Sequence, residues 1–352
     1  MGTSQLSRRA LLTRGAGYAI ALSGGAVFLK ACATDPATTP AGTGTSPAPG
    51  ETIVLKAATG VAGAYPYTDG LEDFKQRLEE ATDGRIEVQI FTDSALGGER
   101  DLFEGLGLGT VEAAVGVTGV LASYTSHIQI MDMPFLFQDM DHGMKVMTGP
   151  IGKELIAPLP DHGIRVLGFY EGGTRNLVNR LRPVTHPTDL NGMRIRIIEN
   201  PVFIAAWEAA GATPTPMPAG EVYTALQQGT IDGADGSFTG IYTSSFYEVA
   251  QHGSLTDHAL AIAVLAVSEQ WFTSLPEDLQ DAVATAAEES QETQRAAMRR
   301  AEEENKASAE SEGVTWSEID REAFRERMEP VWDRFADDVG GRERIQEVID
   351  AV

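Results

Sequence analysis

The 352-residue sequence holds a single cysteine, Cys32, so no disulfide can close within the chain and no cysteine-based metal cluster can be assembled. It lacks G-x-S-x-G, Walker A, H-E-x-x-H and Cys-x-x-Cys motifs. Its six histidines, at 127, 142, 162, 186, 252 and 258, show no zinc-ligand spacing. Gly105, Gly107 and Gly109 are a weak echo of a dinucleotide loop, but they end a helical pattern instead of following a strand, and they read as a helix stop and turn. No cofactor, metal or catalytic residue is expected. Basic residues are scarce, with 27 Lys and Arg against 51 Asp and Glu for a net charge of −24. Such a surface repels nucleic acid and anionic lipid headgroups, and its plain physical meaning is solubility. No apolar run reaches the roughly 20 residues that span a bilayer. Hydrophobic residues at 42% and charged residues at 22% are ordinary for a folded body, and the length suits about two domains.

What is present begins with an export pattern. Ser7, Arg8, Arg9, Ala10, Leu11 and Leu12 precede an apolar stretch from Ala16 to Leu29, the layout of a twin-arginine signal. The stretch ends Leu29, Lys30, Ala31, Cys32, similar to a lipobox, so residues 1–32 are read as an export signal with a lipobox-like end, cut before Cys32, which becomes the acylated N-terminus; simple cleavage that discards the cysteine is the alternative. Those residues carry four basic groups and no acidic one, so removing them leaves 23 basic against 51 acidic residues, a net charge of −28. Residues 33–51, ATDPATTPAGTGTSPAPGE, contain no large apolar side chain and form a flexible linker. Membrane contact is expected only through the lipid.

From Thr52 onward, short β-rich runs alternate with helical patterns: 52–57, a helix near 67–81, 85–91, a helix near 99–108, and 113–117. That alternation predicts a mostly parallel sheet flanked by helices. Leu71, Phe74, Leu78 and Ala81 form the apolar face of the first helix, and Gly84 stops it. A second block repeats the alternation: 164–169, 193–198, helices near 201–210 and 219–228, and 231–234. The unbroken apolar run 259–267 suits a strand buried on both faces. Ser274 to Glu277 read as a capping box. Alanine-rich charged sequence then continues without Gly or Pro to Glu312, predicting a helix that exceeds 50 Å at about 1.5 Å per residue.

Between Arg165 and Arg196 lie six arginines (165, 175, 180, 182, 194 and 196) against only Glu171 and Asp189, a local charge of +4 in an acidic protein. All are Arg and none is Lys, which suits bidentate gripping of carboxylates. Most are expected to pair with the chain's own Asp and Glu. Arg194 and Arg196 alternate with apolar neighbours in a strand, so both project from one face, and one or two of the six at a strand's carboxyl end would look into a ligand crevice.

These stretches carry a resemblance spread over nearly the whole mature chain. The segments are YPYTDGLEDFKQRLEEATDGRIEVQIF from Tyr65, SALGGERDLFEGLGLGTVEAAV from Ser94, DMPFLFQDMDHG from Asp132, and GTRNLVNRLRPVTHPTDLNGMRIRIIEN from Gly173. They continue with AAGATPTPMPAGEVYTALQQGTIDGADG from Ala209, FYEVAQH from Phe246 and LPEDLQDAV from Leu275. Together they resemble the solute-binding proteins of TRAP transporters, of the DctP type.

The resemblance implies an α/β, two-lobed periplasmic-binding-protein-like fold with a hinge, a central cleft and a long helix spanning both lobes. Lobe I is expected to hold 52–172 plus 262–301 and lobe II 173–261 plus 302–352. By the same resemblance Arg196 holds the ligand carboxylate and Arg175 assists. Tyr65, Glu99 and Thr118 fall at cleft-lining segments of the other lobe. Many relatives carry Gln-Glu-Asn after the Asp-Gly pair that stands here as Asp232 and Gly233, whereas this chain has Ala234, Asp235 and Gly236. A position often aromatic in relatives is here Ala219 and Gly220. The pocket is therefore reshaped, and Asp235, Gly236, Ser237, Phe238 and Tyr242 are candidate contacts. The resemblance implies a small carboxylate ligand, such as a C4-dicarboxylate or sugar acid, taken up with TRAP permease subunits and an ion gradient; the protein itself is expected to be a monomer. Two alternatives remain at this point: a receptor reporting to a membrane sensor kinase, and an exported enzyme acting on sugar acids with Asp235 or Glu171 as its base.

Overall fold

Strand β3 (Ala113–Val117) and the apolar part of β8 (His252–Ser268) are antiparallel neighbours whose side chains are buried throughout. The computed structural model describes residues 52–351; the export pattern, Cys32 and the 33–51 linker lie outside the described residues. On β8, Ala263, Leu265 and Val267 enter one hydrophobic core while Ile262, Val264 and Ala266 enter another, the two-residue period of a strand covered on both faces. Burial of each such Val or Leu stabilises by about 1.5–3 kcal/mol, so this ribbon contributes to two cores at once.

On one side of it β1 (Ile53–Thr59), helix α1 (Tyr67–Ala81), β2 (Ile86–Phe91), helix α2 (Glu99–Leu108) and β3 form a parallel wing in the order β2-β1-β3. Leu71, Phe74 and Leu78 bury the inner face of α1, and Gly84 at φ 72° donates its amide to Glu79 O (2.9 Å) as the helix ends. Helices α3 (Met140–Thr148) and α4 (Pro150–Ile156) follow before β4 (Ile164–Asn179). On the other side β5 (Arg194–Ile197), α5 (Pro201–Ala210), β6 (Thr213–Pro216), α6 (Val222–Gln228), β7 (Gly233–Gly236) and α7 (Phe238–Thr243) build a second parallel wing, ordered β7-β5-β6.

The sheet is mixed instead of mostly parallel, because β4 and β8 run antiparallel from one wing into the other and weld both into a single nine-stranded sheet. The sequence hid this: the first half of β4 reads as a short strand, and its continuation through Gly172 and Gly173 looks like a break. The β4–β8 register shifts at those glycines. Gly172 has no room for a Cβ, which would lie 2.5 Å from the Tyr67 hydroxyl, and Gly173 sits at φ 84° with a would-be Cβ 2.6 Å from Ser237 Cβ. The glycine pair thus marks the point where β4 bends as it passes from one wing to the other.

After the short helix α8 (Glu269–Ser274), helix α9 (Glu277–Ser311) runs 35 residues, about 50 Å at 1.5 Å per residue, and packs on α1, β4 and α7, so it touches both lobes. The expected capping box at its start is absent. Ser274 belongs to the last turn of α8 and donates its hydroxyl to Trp271 O (2.7 Å), and Pro276 becomes the N-cap without a side-chain bond. Strand β9 (Thr315–Glu318) pairs with β8, and α10 (Arg321–Met328), α11 (Val331–Phe335) and α12 (Arg342–Asp350) bury Phe324, Trp332, Phe335 and Val348 against the cores. No helix among the described residues is long and apolar enough to cross a membrane.

Candidate functional site

Strand alternation places Ile195 and Ile197 in a hydrophobic core and turns Arg196 to the opposite face, where it is only 7% exposed. Its Nε and Nη2 donate to Met217 O at 3.0 and 2.8 Å, and no carboxylate among the described residues lies within ion-pair distance of it. Burial pulls its pKa down to about 10, which leaves it charged at neutral pH.

The other five arginines of the cluster have partners. Arg165 grips Glu269 with two bonds of 2.6 Å, Arg194 and Arg180 share Asp232, and Arg182 caps the carbonyls of Asp189 and Asn191. Arg175 is bidentate to Asp235, with Nε to Oδ2 at 2.7 Å and Nη2 to Oδ1 at 2.8 Å. Burial raises the Asp235 carboxyl, but Arg175 and His258 outweigh that and hold it well below the usual carboxylate range. His258 Nε2 lies 3.3 Å from Asp235 Oδ2, and its Nδ1 is 2.9 Å from Thr256 Oγ1. Arg196 is thus the member of the cluster whose buried charge is met by a neutral carbonyl alone.

A cavity of about 90 Å³ brings together Tyr65, Glu99, Arg175, Arg196, Asp235, Gly236 and Ser237. Tyr65 Oη donates to Gly172 O (2.7 Å) and lies 3.2 Å from Ser237 Oγ, tying the segment before α1 to β4 and to the start of α7. Ser237 also caps α7 through the Gly240 amide. Burial raises the Glu99 carboxyl to about 7, against the opposing pull of Arg196 and the Val117 amide. Glu99, Arg196, Ile198 and Ala219 also line an adjoining chamber of about 150 Å³.

Three expected contacts stand elsewhere. Phe238 points away from the cavity, edge-to-face on Trp316 (4.9 Å) with Lys306 Nζ 5.2 Å from its ring, because α7 turns that face toward β9 and α9. Tyr242 stacks on Tyr247 at 4.9 Å, and Thr118 is buried at the start of the 118–123 turn. Neither candidate base is free in the cleft: Asp235 is committed to Arg175, and Glu171 is bound by Arg299 at 2.7 Å on the side facing α9.

Sequence reasoning missed the Met217 carbonyl, the His258 partner of Asp235, and a second bridge between lobes. Asn200 caps α5 by accepting the Val202 and Phe203 amides, while its Nδ2 donates to Gly119 O (3.0 Å) and Asp132 Oδ2 (2.9 Å). The Asn-Pro pair announced the cap; nothing local announced the contact across the cleft.

The profile of the DctP family, bacterial extracellular solute-binding protein family 7, matches residues 57–338. The 2,3-diketo-L-gulonate-binding periplasmic protein YiaO of Escherichia coli is 32% identical over 79% of this chain and 86% of its own length. The C4-dicarboxylate-binding periplasmic protein DctP of Rhodobacter capsulatus is 30% identical over 84% and 90%. A TRAP periplasmic solute-binding protein from Polaromonas, solved bound to D-erythronate, superposes with a TM-score of 0.82 at 34% identity, covering 84% of this chain and 98% of that one. With the matched segment running through both wings, the crossing ribbon and α9, the chain belongs to the DctP family of bacterial extracellular solute-binding proteins.

Proposed function

We propose that the protein captures a small organic acid outside the cytoplasm, a C4-dicarboxylate, sugar acid or similar carboxylate, and delivers it to the membrane subunits of an ion-gradient-driven TRAP transporter. The observation that carries this reading is Arg196: a buried guanidinium in the cleft, held along one edge by Met217 O and without a carboxylate partner among the described residues. Burying an uncompensated charge is costly, and a ligand carboxylate would supply the missing pairing and fix its own angle on the planar fork. Arg175, already neutralised by Asp235, supports the site electrostatically and positions the strand.

The lobes, 52–172 with 262–301 and 173–261 with 302–352, would hinge at Gly172 and Gly173. Contacts between them, Tyr65 to Ser237, Asn200 to Asp132 and Arg100 to Glu199, belong to the closed arrangement in this reading. A ligand touching both halves favours closure by its differential contacts. Outside the described residues, Cys32 would carry the lipid that keeps the receptor near its permease.

We read the protein as a binder and not an enzyme, since Asp235 and Glu171 are both held in ion pairs. Glu99, raised to about 7 beside the cavity, favours the alternative of an exported enzyme. Thermal-shift screening of purified protein against an organic-acid panel, followed by chemical analysis of the bound acid, tests both: a melting-point rise with the acid recovered unchanged supports capture. No response to any acid, or recovery of a converted product, contradicts it.

A further inference from the structure

The cleft holds one cation without a partner and several anions without one, and that imbalance speaks to the charge of the guest. The 90 Å³ cavity adjoins the 150 Å³ chamber through Arg196 and Ala219, and both adjoin an outer groove through Ala219 and Gly60 or Val61. Three arginines line these spaces. Arg175 is neutralised by Asp235, and Arg100 is bound to Glu199 at 2.7 Å, which leaves Arg196. Among the described residues no lysine or histidine lines the three spaces, whereas Glu99, Asp101, Asp93 and Glu248 do so without a basic partner within ion-pair distance. The other polar groups there include the hydroxyls of Tyr65, Ser237, Ser94, Tyr223 and Ser244 and the carbonyls of Gly172 and Met217.

We infer that the guest is a hydroxylated monocarboxylate, its one carboxylate on Arg196 and its hydroxyls facing Glu99, Tyr65 and Ser237, and that dicarboxylates are rejected. This rests on the organic-acid reading above and narrows it. A second carboxylate would find no unpaired cation among the described residues and would lie among like charges, which costs a factor of about 100 in affinity for two anions some 6 Å apart at an effective dielectric near 20. A hydroxyl in the same place donates to the Glu99 carboxylate. The discrimination therefore comes from what the pocket repels as much as from what it grips.

Calorimetric titration at pH 8 with matched pairs decides the matter: D-erythronate against tartrate, D-gluconate against D-glucarate, D-galactonate against galactarate. The expected result is that in whichever pair contains a binder the monoacid binds about 100-fold tighter, and that Glu99→Gln narrows this gap about tenfold by removing one repelling charge. Equal or tighter binding of the diacid, or a gap unchanged in Glu99→Gln, overturns the charge-count inference and leaves organic-acid capture standing. Binding of no acid of either class by folded protein overturns capture itself, and this inference with it.

Discussion

Arg175 and Asp235 form a buried two-bond ion pair of 2.7 and 2.8 Å that joins β4 to β7 across the second lobe, and by satisfying each other they leave Arg196 as the uncompensated cation of the cleft. Two arginines close enough to influence each other's ionisation thereby take different parts, one structural and one available to a guest.

Asp235→Asn should therefore act mainly on stability. Removing one partner strands the Arg175 charge at 5% exposure, and such a loss typically costs about 3–5 kcal/mol. Urea denaturation at pH 7 should show a fall of that order. Because the Asp235 carboxyl is held below its unfolded value, the stability it contributes is present above the unfolded pKa and is lost as pH falls below about 4. The wild-type advantage over Asp235→Asn should shrink in acid.

Asp132 behaves oppositely. Burial raises its carboxyl to about 7, with the Asn200 amide pulling the other way. A raised folded pKa contributes stability that is complete below the unfolded value near 4 and disappears as pH rises through about 7. Asp132→Asn should then be more stable than wild type at pH 8 by up to about 4 kcal/mol, with the difference vanishing by pH 4. Melting curves across that range measure it.

At the crossing of β4 and β8, Gly173→Ala should destabilise the protein by more than 1 kcal/mol, since a Cβ at φ 84° would meet Ser237 and Glu302. Gly192→Ala is the control: it shares a positive φ, 78°, but nothing lies within 4 Å, so its cost should be the smaller backbone term of about 1 kcal/mol.

In the core ribbon, Leu265→Ala should cost about 2–5 kcal/mol, the loss for a buried leucine that leaves a cavity, and chemical denaturation should show it without a change in ligand stoichiometry.

Much of the fold was legible in the chain because its signals are local. The apolar face of α1, the uninterrupted 259–267 run and the Gly-free, Pro-free stretch behind Pro276 each specify an element through neighbours a few residues away. What was illegible is non-local. That β4 and β8 weld the two wings into one sheet depends on pairing some 90 residues apart through a glycine bend, and the sequence at that bend looks like a loop. The same division runs through the site. Arg196 and Arg175 stood out by residue type and strand phase. Which of them was neutralised depended on Asp235 reaching across from β7, and which aromatic faced the cleft depended on the roll of α7, so Phe238 and Tyr242 were misplaced.

The central claim is tested most directly by titrating the tightest-binding acid from the panel into wild type, Arg196→Ala and Arg194→Ala. Arg194 lies two residues along the same strand and is bound to Asp232, so its loss should leave affinity within about threefold, whereas loss of Arg196 removes a charge-assisted pair and should weaken binding at least about 100-fold. A folded Arg196→Ala protein that binds the acid as tightly as wild type would contradict the account.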